Sequence, residues 1–242
     1  MIFNIHAGHN PAGKVACGAV GFLNESREAR IVKNEVVRIL KSLGHIVYDC
    51  TVEDGRSAAD VLTKIVSKCN SHEVDLDVSI HFNAGARDEK GDGKTTGTEC
   101  YIYDDKSKAA EKAGRDICEA ISALGFKNRG VKVNPRLYFL KRTNAQAVLI
   151  ECCFVDDKDD AEKYDPEAMA RAIVYGLTGQ HEKGSDYVTT DTEAEGIEAE
   201  TERGNSEAIY RVQVGAFRSY EYAKNLQREL ELKGISAIVT RS

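Results

Sequence analysis

No apolar run in these 242 residues approaches the roughly 18 that a membrane-spanning helix needs, so no membrane partner is expected. Basic charge is also in short supply. Lys and Arg number 33 against 39 Asp and Glu, and the formal net charge of -6 leaves no positive face for nucleic acid. The seven cysteines contain no CxxC pair and no disulfide-scaffold spacing, which reads as reduced core thiols made in a reducing cytosol. Met1-Ile-Phe-Asn4 has neither the charged nor the long apolar region of a secretory leader, so synthesis in the cytoplasm without a signal peptide is expected. Gly8, Gly13 and Gly18 do not form the dinucleotide GxGxxG, and no GKS or GKT follows them for a phosphate loop, which leaves nucleotide binding unsupported.

What is present is a threefold coincidence. Val78-Ser-Ile-His-Phe-Asn-Ala84 ends an apolar run on His81, Met1 to Ile5 runs into His6-Ala-Gly-His9, and Ala147-Val-Leu-Ile150 runs into Glu151. Each strand-like run delivers a metal-binding or acid–base side chain at its carboxyl end, the edge at which open α/β sheets hold ligands.

With 42% hydrophobic residues, the chain has material for one substantial core and a small second unit. After the first run, Gly8, Pro11, Gly13, Gly18 and Gly21 mark a long loop. Ala29, Val32, Val36, Leu40 and Leu43 then recur at helical spacing from about Glu25 until Gly44. A strand over 45–52, a helix from Ser57 to about Asn70 and the strand ending on His81 complete a βαβαβ rhythm. The charged, glycine-rich stretch 87–96 reads as an exposed rim loop or lid. A strand over 97–103, a helix over 106–124, strands over 137–140 and 147–150 and a helix over 166–177 follow. The expected fold is α/β: a mostly parallel twisted sheet flanked by helices, with a small C-terminal βαβ unit.

Between 181 and 207 apolar residues nearly vanish while Glu and Asp accumulate, the composition of an acidic flexible linker. Beyond it, Ile209 to Gly215 alternates like a strand, 220–233 is amphipathic, and 234–239 reads as another strand. One βαβ unit of this size exposes an unpaired sheet edge, so it is expected to pair with something.

A catalytic zinc site needs about three His, Glu, Asp or Cys ligands, an open position and a nearby base. His9, His81 and a glutamate at the start of the first helix supply the ligand types; Glu25 stands at the loop junction, with Glu28 almost one turn on as the alternative. Glu151 is left as the acid–base residue. His6 alternates within its strand, which favours a core or outer-shell histidine over a ligand, and His45 and His72 sit near element ends as solvated ones. Cys152 or Cys153 with His81 as base offers a competing thiol mechanism, set against the commoner role of cysteine as buried packing.

Taken together, Ala7-Gly8-His9, Leu23-Asn24-Glu25, Ser79-Ile80-His81-Phe82-Asn83-Ala84, Asn128-Arg129-Gly130-Val131-Lys132 and Ala147 to Phe154 resemble the zinc-dependent N-acetylmuramoyl-L-alanine amidases of autolysins and phage endolysins. The likeness spans residues 1 to about 180. It implies that His9, Glu25 and His81 bind Zn²⁺, that Glu151 is catalytic, and that the substrate is the peptidoglycan amide between N-acetylmuramic acid and L-alanine. It departs at His6, Gln146 and Cys153, where the family often has Asp, Pro and Gly. A non-catalytic wall-binding protein on the same fold is the alternative, which the presence of all four residues disfavours.

Tyr210-Arg-Val-Gln-Val-Gly-Ala-Phe217 resembles the first half of a SPOR domain, a family that binds peptidoglycan glycan. The implied organisation is a catalytic domain over 1–180, a linker over 181–207 and a partial wall-binding unit over 208–242. Either the unit is shortened or two copies complete it, making a homodimer. Such a protein would act on the cell wall after release.

Overall fold

The computed structural model describes residues 1–182, together with residues 227, 238 and 239. The chain divides into two units, Met1–Tyr187 and Val188–Ser242. The expected C-terminal βαβ unit and its homodimer lie outside the described residues, apart from those three positions. Among the described residues, no helix is long and apolar enough to cross a membrane.

Among residues 1–182, twelve elements follow in the order β1 (Ile2–Ala7), α1 (Glu25–Ser42), β2 (Ile46–Asp49), α2 (Ala58–Cys69), β3 (Leu76–Asn83), β4 (Thr98–Ile102), α3 (Lys108–Ser122), β5 (Asn128–Val133), α4 (Tyr138–Arg142), β6 (Ala147–Phe154), α5 (Lys158–Lys163) and α6 (Pro166–Thr178). The helix starts are chemically marked. Asn24, Ser57 and Asp165 accept from the backbone N–H three residues on, and Pro166 opens α6, where a missing N–H costs nothing. Ser107 does not cap α3 with its side chain. Gln146 does so from outside the helix, its Oε1 accepting from Ala109 N at 2.9 Å and Ala110 N at 3.1 Å. That is the work of one residue at which the chain departs from its resemblance.

The six strands form one sheet in the order β2-β1-β3-β6-β4-β5. Neighbours run parallel except β4 and β6, which are antiparallel, so two parallel blocks meet back to front. The sheet is mostly parallel, as expected, and mixed at one seam. Two expectations are corrected. Residues 138–140 open helix α4 with Leu137 as its N-cap, Phe139 and Leu140 buried against α2, and β6 runs on past Ile150 to Phe154, so Glu151 stands inside the strand instead of at its end.

Alternation along the strands decides the layers. Val78, Ile80 and Phe82 of β3 and Val148 and Ile150 of β6 face α1, α3 and α6, whereas Ala147 and Leu149 face α2 and α4. The 87–96 excursion is fastened at the rim by aspartates. Asp156 accepts from Gly85, Ala86 and Arg87 N, and Asp159 accepts from Asp92 and Gly93 N.

Helices α3 and α6 cross where Gly176 sits against Ile117; a Cβ there would lie 2.5 Å from the Ile117 Cα. Gly176→Ala is therefore expected to force the helices apart and to cost about 1–3 kcal/mol. Thermal unfolding checks this, and an unchanged Tm would show that the crossing opens freely.

Candidate metal centre and active site

The site begins where β1 ends. His9 follows the strand by two residues and adopts φ 60, in the left-handed region that non-glycine residues rarely occupy. Arg30 of α1 holds it there, its Nη2 donating to His9 O at 2.9 Å and to Val52 O at 3.0 Å, and its Nη1 to Ser26 O at 2.9 Å. Gly8 lies against the His81 ring: a Cβ at that position would stand 2.0 Å from Cε1. Only glycine lets the two histidine-bearing segments approach so closely.

Glu25, the first residue of α1, is buried between them. Its Oε1 lies 3.2 Å from His9 Nε2 and 3.0 Å from His81 Nδ1, and also accepts from Phe82 N, while Oε2 accepts from Ala19 N at 2.9 Å. Burial opposes the charge on this carboxylate, but hydrogen bonds with His81 and His9 outweigh it and hold the pKa well below the usual range. Glu28 points away, its Oε2 accepting from the Tyr164 hydroxyl at 3.2 Å.

The three ligand-type atoms lie within 4.8 Å of one another. A tetrahedral zinc with bonds of 2.0–2.1 Å sets its ligand atoms about 3.3 Å apart, and the two measured separations to Glu25 are close to that. Two imidazole nitrogens and one carboxylate oxygen are also the donor set of many catalytic zinc sites. The residues fit the ion.

Glu151 stands beside this cluster, directly opposite His81 in the β3–β6 register. Its Oε2 is buried with no hydrogen-bond partner. Burial, then the charges of Glu25 and Glu99, push its carboxyl well above the ordinary range. A half-buried carboxyl with an unpartnered oxygen, next to a cluster that could hold a cation, is placed to exchange protons with a bound water or substrate.

His6 is a core residue, as expected: it is buried, edge-on to Phe139, and burial followed by His81 pulls its pKa down to about 3. His45 and His72 are partnered where solvation was expected, the first by the Met1 amino group at 3.1 Å and the second by Asn4 Oδ1 at 3.0 Å and a stacked Tyr48. All seven cysteines are free thiols, but Cys17 is exposed, not core. Cys152 and Cys153 are fully buried in the main core, and burial raises both thiols, so neither offers an accessible thiolate. Sequence reasoning passed over Arg30 and Glu99, since an arginine in a helix and a glutamate in a short strand carry no local signal of what they hold.

The family profile described as N-acetylmuramoyl-L-alanine amidase matches residues 4–179, and that of the SPOR domain matches 195–242, beginning inside the acidic stretch. An uncharacterized protein of Clostridium perfringens is 30% identical over 87% of this chain and 65% of its own length. The N-acetylmuramoyl-L-alanine amidase CwlM of Bacillus licheniformis is 33% identical over 74% of this chain and 61% of its own. Among solved structures, the catalytic domain of the CD27L endolysin targeting Clostridia difficile superposes with a TM-score of 0.65 at 28% identity, covering 75% of this chain and 98% of that domain. The chain thus spans less than two thirds of these curated relatives' own lengths. Sheet, cluster and profile agree over one continuous stretch, and the chain belongs to the N-acetylmuramoyl-L-alanine amidase family.

Proposed function

We propose that the protein hydrolyses the amide between the lactyl group of N-acetylmuramic acid and the L-alanine of the peptidoglycan stem peptide. The observation that carries this reading is the buried, unpartnered Oε2 of Glu151 opposite His81, beside the His9, Glu25 and His81 cluster. His9 Nε2, Glu25 Oε1 and His81 Nδ1 would hold Zn²⁺. When bound, the ion supplies Lewis acidity toward a carbonyl oxygen and toward water.

The protein's own groups do the rest. Glu25 keeps its charge because two imidazoles and two backbone N–H groups surround it. Arg30 and Gly8 fix the approach of His9 to His81. Glu151 takes the proton of the attacking water on its carboxylate. It returns that proton to the alanine nitrogen as the carbon–nitrogen bond breaks, leaving a lactyl carboxylate and a free amine. Its raised affinity for the proton suits the return step.

Residues 1–180 would form the catalytic domain, 181–207 an acidic linker, and 208–242 a partial wall-binding unit, which the SPOR match supports. The cell wall is the place of action that both profiles support.

Digestion of purified peptidoglycan tests the reading. Free L-alanine amino groups are expected without new reducing sugars, with activity lost on chelation and restored by zinc. New reducing ends would sink it, and an activity that survives chelation but dies on thiol alkylation would move the chemistry to cysteine.

A further inference from the structure

On the sheet face that carries His81 and Glu151, the strand register extends the row outward. His81 of β3 stands opposite Glu151 of β6, and Glu151 opposite Glu99 of β4. Glu99 in turn meets β5, accepting on Oε2 from Arg129 Nε at 2.5 Å and from Lys132 Nζ. Its other oxygen accepts from Asn83 Nδ2 at 3.0 Å and the Tyr101 hydroxyl at 2.7 Å. Glu99 is 2% exposed, whereas the Arg129 and Lys132 side chains are 28% and 39% exposed. Two cations on one sealed carboxylate leave a positive charge in excess, in a chain whose formal net charge is -6.

Neutralising Glu99 requires one cation, and Arg129 is only partly used in doing so. Its Nε edge is on Glu99 and its Cζ lies 5.0 Å from the centroid of the Phe154 ring, yet among the described residues Nη1 and Nη2 make no hydrogen bond. A guanidinium held on one edge by a carboxylate and over an aromatic ring cannot swing freely. Its open nitrogens are set to take a carboxylate bidentately, the geometry in which arginine differs most from lysine.

We propose that Arg129 and Lys132, oriented by Glu99, form a subsite for a carboxylate on the substrate's peptide, two to three residues beyond the scissile amide. This rests on the amidase reading and adds to it the acidic character of the peptide. The position follows from the sheet. Arg129 stands two strands from Glu151, about 10 Å across the hydrogen-bonding direction. An extended peptide advances about 3.3–3.6 Å per residue, so roughly three residues span that distance and two do so with a side chain.

The test uses the full chain and two soluble N-acetylmuramoyl peptides that differ only in the acidic residue, its carboxylate free in one and a carboxamide in the other. Wild type is expected to show a KM about tenfold or more lower for the free acid. Arg129→Gln brings the ratio of the two KM values toward one, Lys132→Gln lowers it in part, and Lys132→Arg keeps it. Each single glutamine variant leaves Glu99 one cation, so the buried carboxylate stays paired. A wild-type ratio near one overturns the proposal, as does an Arg129→Gln loss that falls in kcat equally on both peptides; the pair would then only neutralise Glu99.

Calorimetric binding of both peptides to Glu151→Gln is read in parallel. A binding preference without any turnover by wild type would defeat the amidase reading and keep the subsite. Turnover without a preference would do the reverse.

Discussion

Glu151→Gln is expected to keep its metal and its fold and to lose turnover by about 10²–10⁴-fold, the usual contribution of a positioned acid–base group. The fold should survive because glutamine matches the carboxyl in size and Oε2 has no protein partner to lose. Burying a neutral amide in place of a carboxyl flanked by Glu25 and Glu99 also removes a repulsion, since both charges bear on Glu151. What the amide cannot do is carry a proton from water to the leaving nitrogen. Metal content by elemental analysis and initial rates on soluble muramoyl peptides check the two halves separately. Wild-type rates with unchanged metal would remove Glu151 from the mechanism, and lost metal would make it part of the cluster.

The second large effect is expected at α1. Glu25→Ala should lower zinc affinity by more than the roughly 10–100-fold that loss of an outer-shell partner costs, since it deletes one of the three proposed ligands. Glu28→Ala should leave zinc affinity near wild type, because its carboxylate is engaged with Tyr164 on the side of the helix away from the histidines. Burial raises the Glu28 pKa, with the Tyr164 hydrogen bond and Arg27 working against it. Competition titrations against a chromophoric chelator decide the order. The reverse order would transfer the ligand role to Glu28.

The two glutamates show where local reading of a helix stops. Both lie in its first turn, both are acidic at the positive end of the helix dipole, and both are partly or wholly buried. Their spacing of three places them near each other but not on one line of sight. Which one faces the histidines depends on the angle at which α1 leaves the loop, and that is set by contacts remote in sequence: Ala19 N on Glu25, Val155 O accepting from Phe22 N, and Arg30 across to Val52.

Strand β5 was passed over for a related reason. Asn128-Arg-Gly-Val-Lys-Val133 is polar, interrupted by glycine and only half-buried at the sheet edge, so it lacks the apolar alternation that reveals a strand. Leu137 to Leu140 failed the opposite way. Four apolar residues suit a short strand or one turn of helix equally, and the packing of Phe139 and Leu140 against α2 chose the helix.

The sequence alone determined the elements whose chemistry is local: α1 from its Val32, Val36 and Leu40 spacing, α2 from its Ser57 start, α6 from about Pro166, and the strands that lead to His9, His81 and Glu151. It also supplied the four residues of the candidate site, because each apolar run gives way to a chemically capable side chain and Glu25 opens α1. Only the tertiary structure decided how they meet. The antiparallel seam between β4 and β6 put Glu99 opposite Glu151 and brought Arg129 and Lys132 to that row from a strand with no apolar alternation of its own. The physical reason is that hydrogen-bond register acts between strands distant in sequence, and no short-range pattern of residues encodes which strand will be the neighbour.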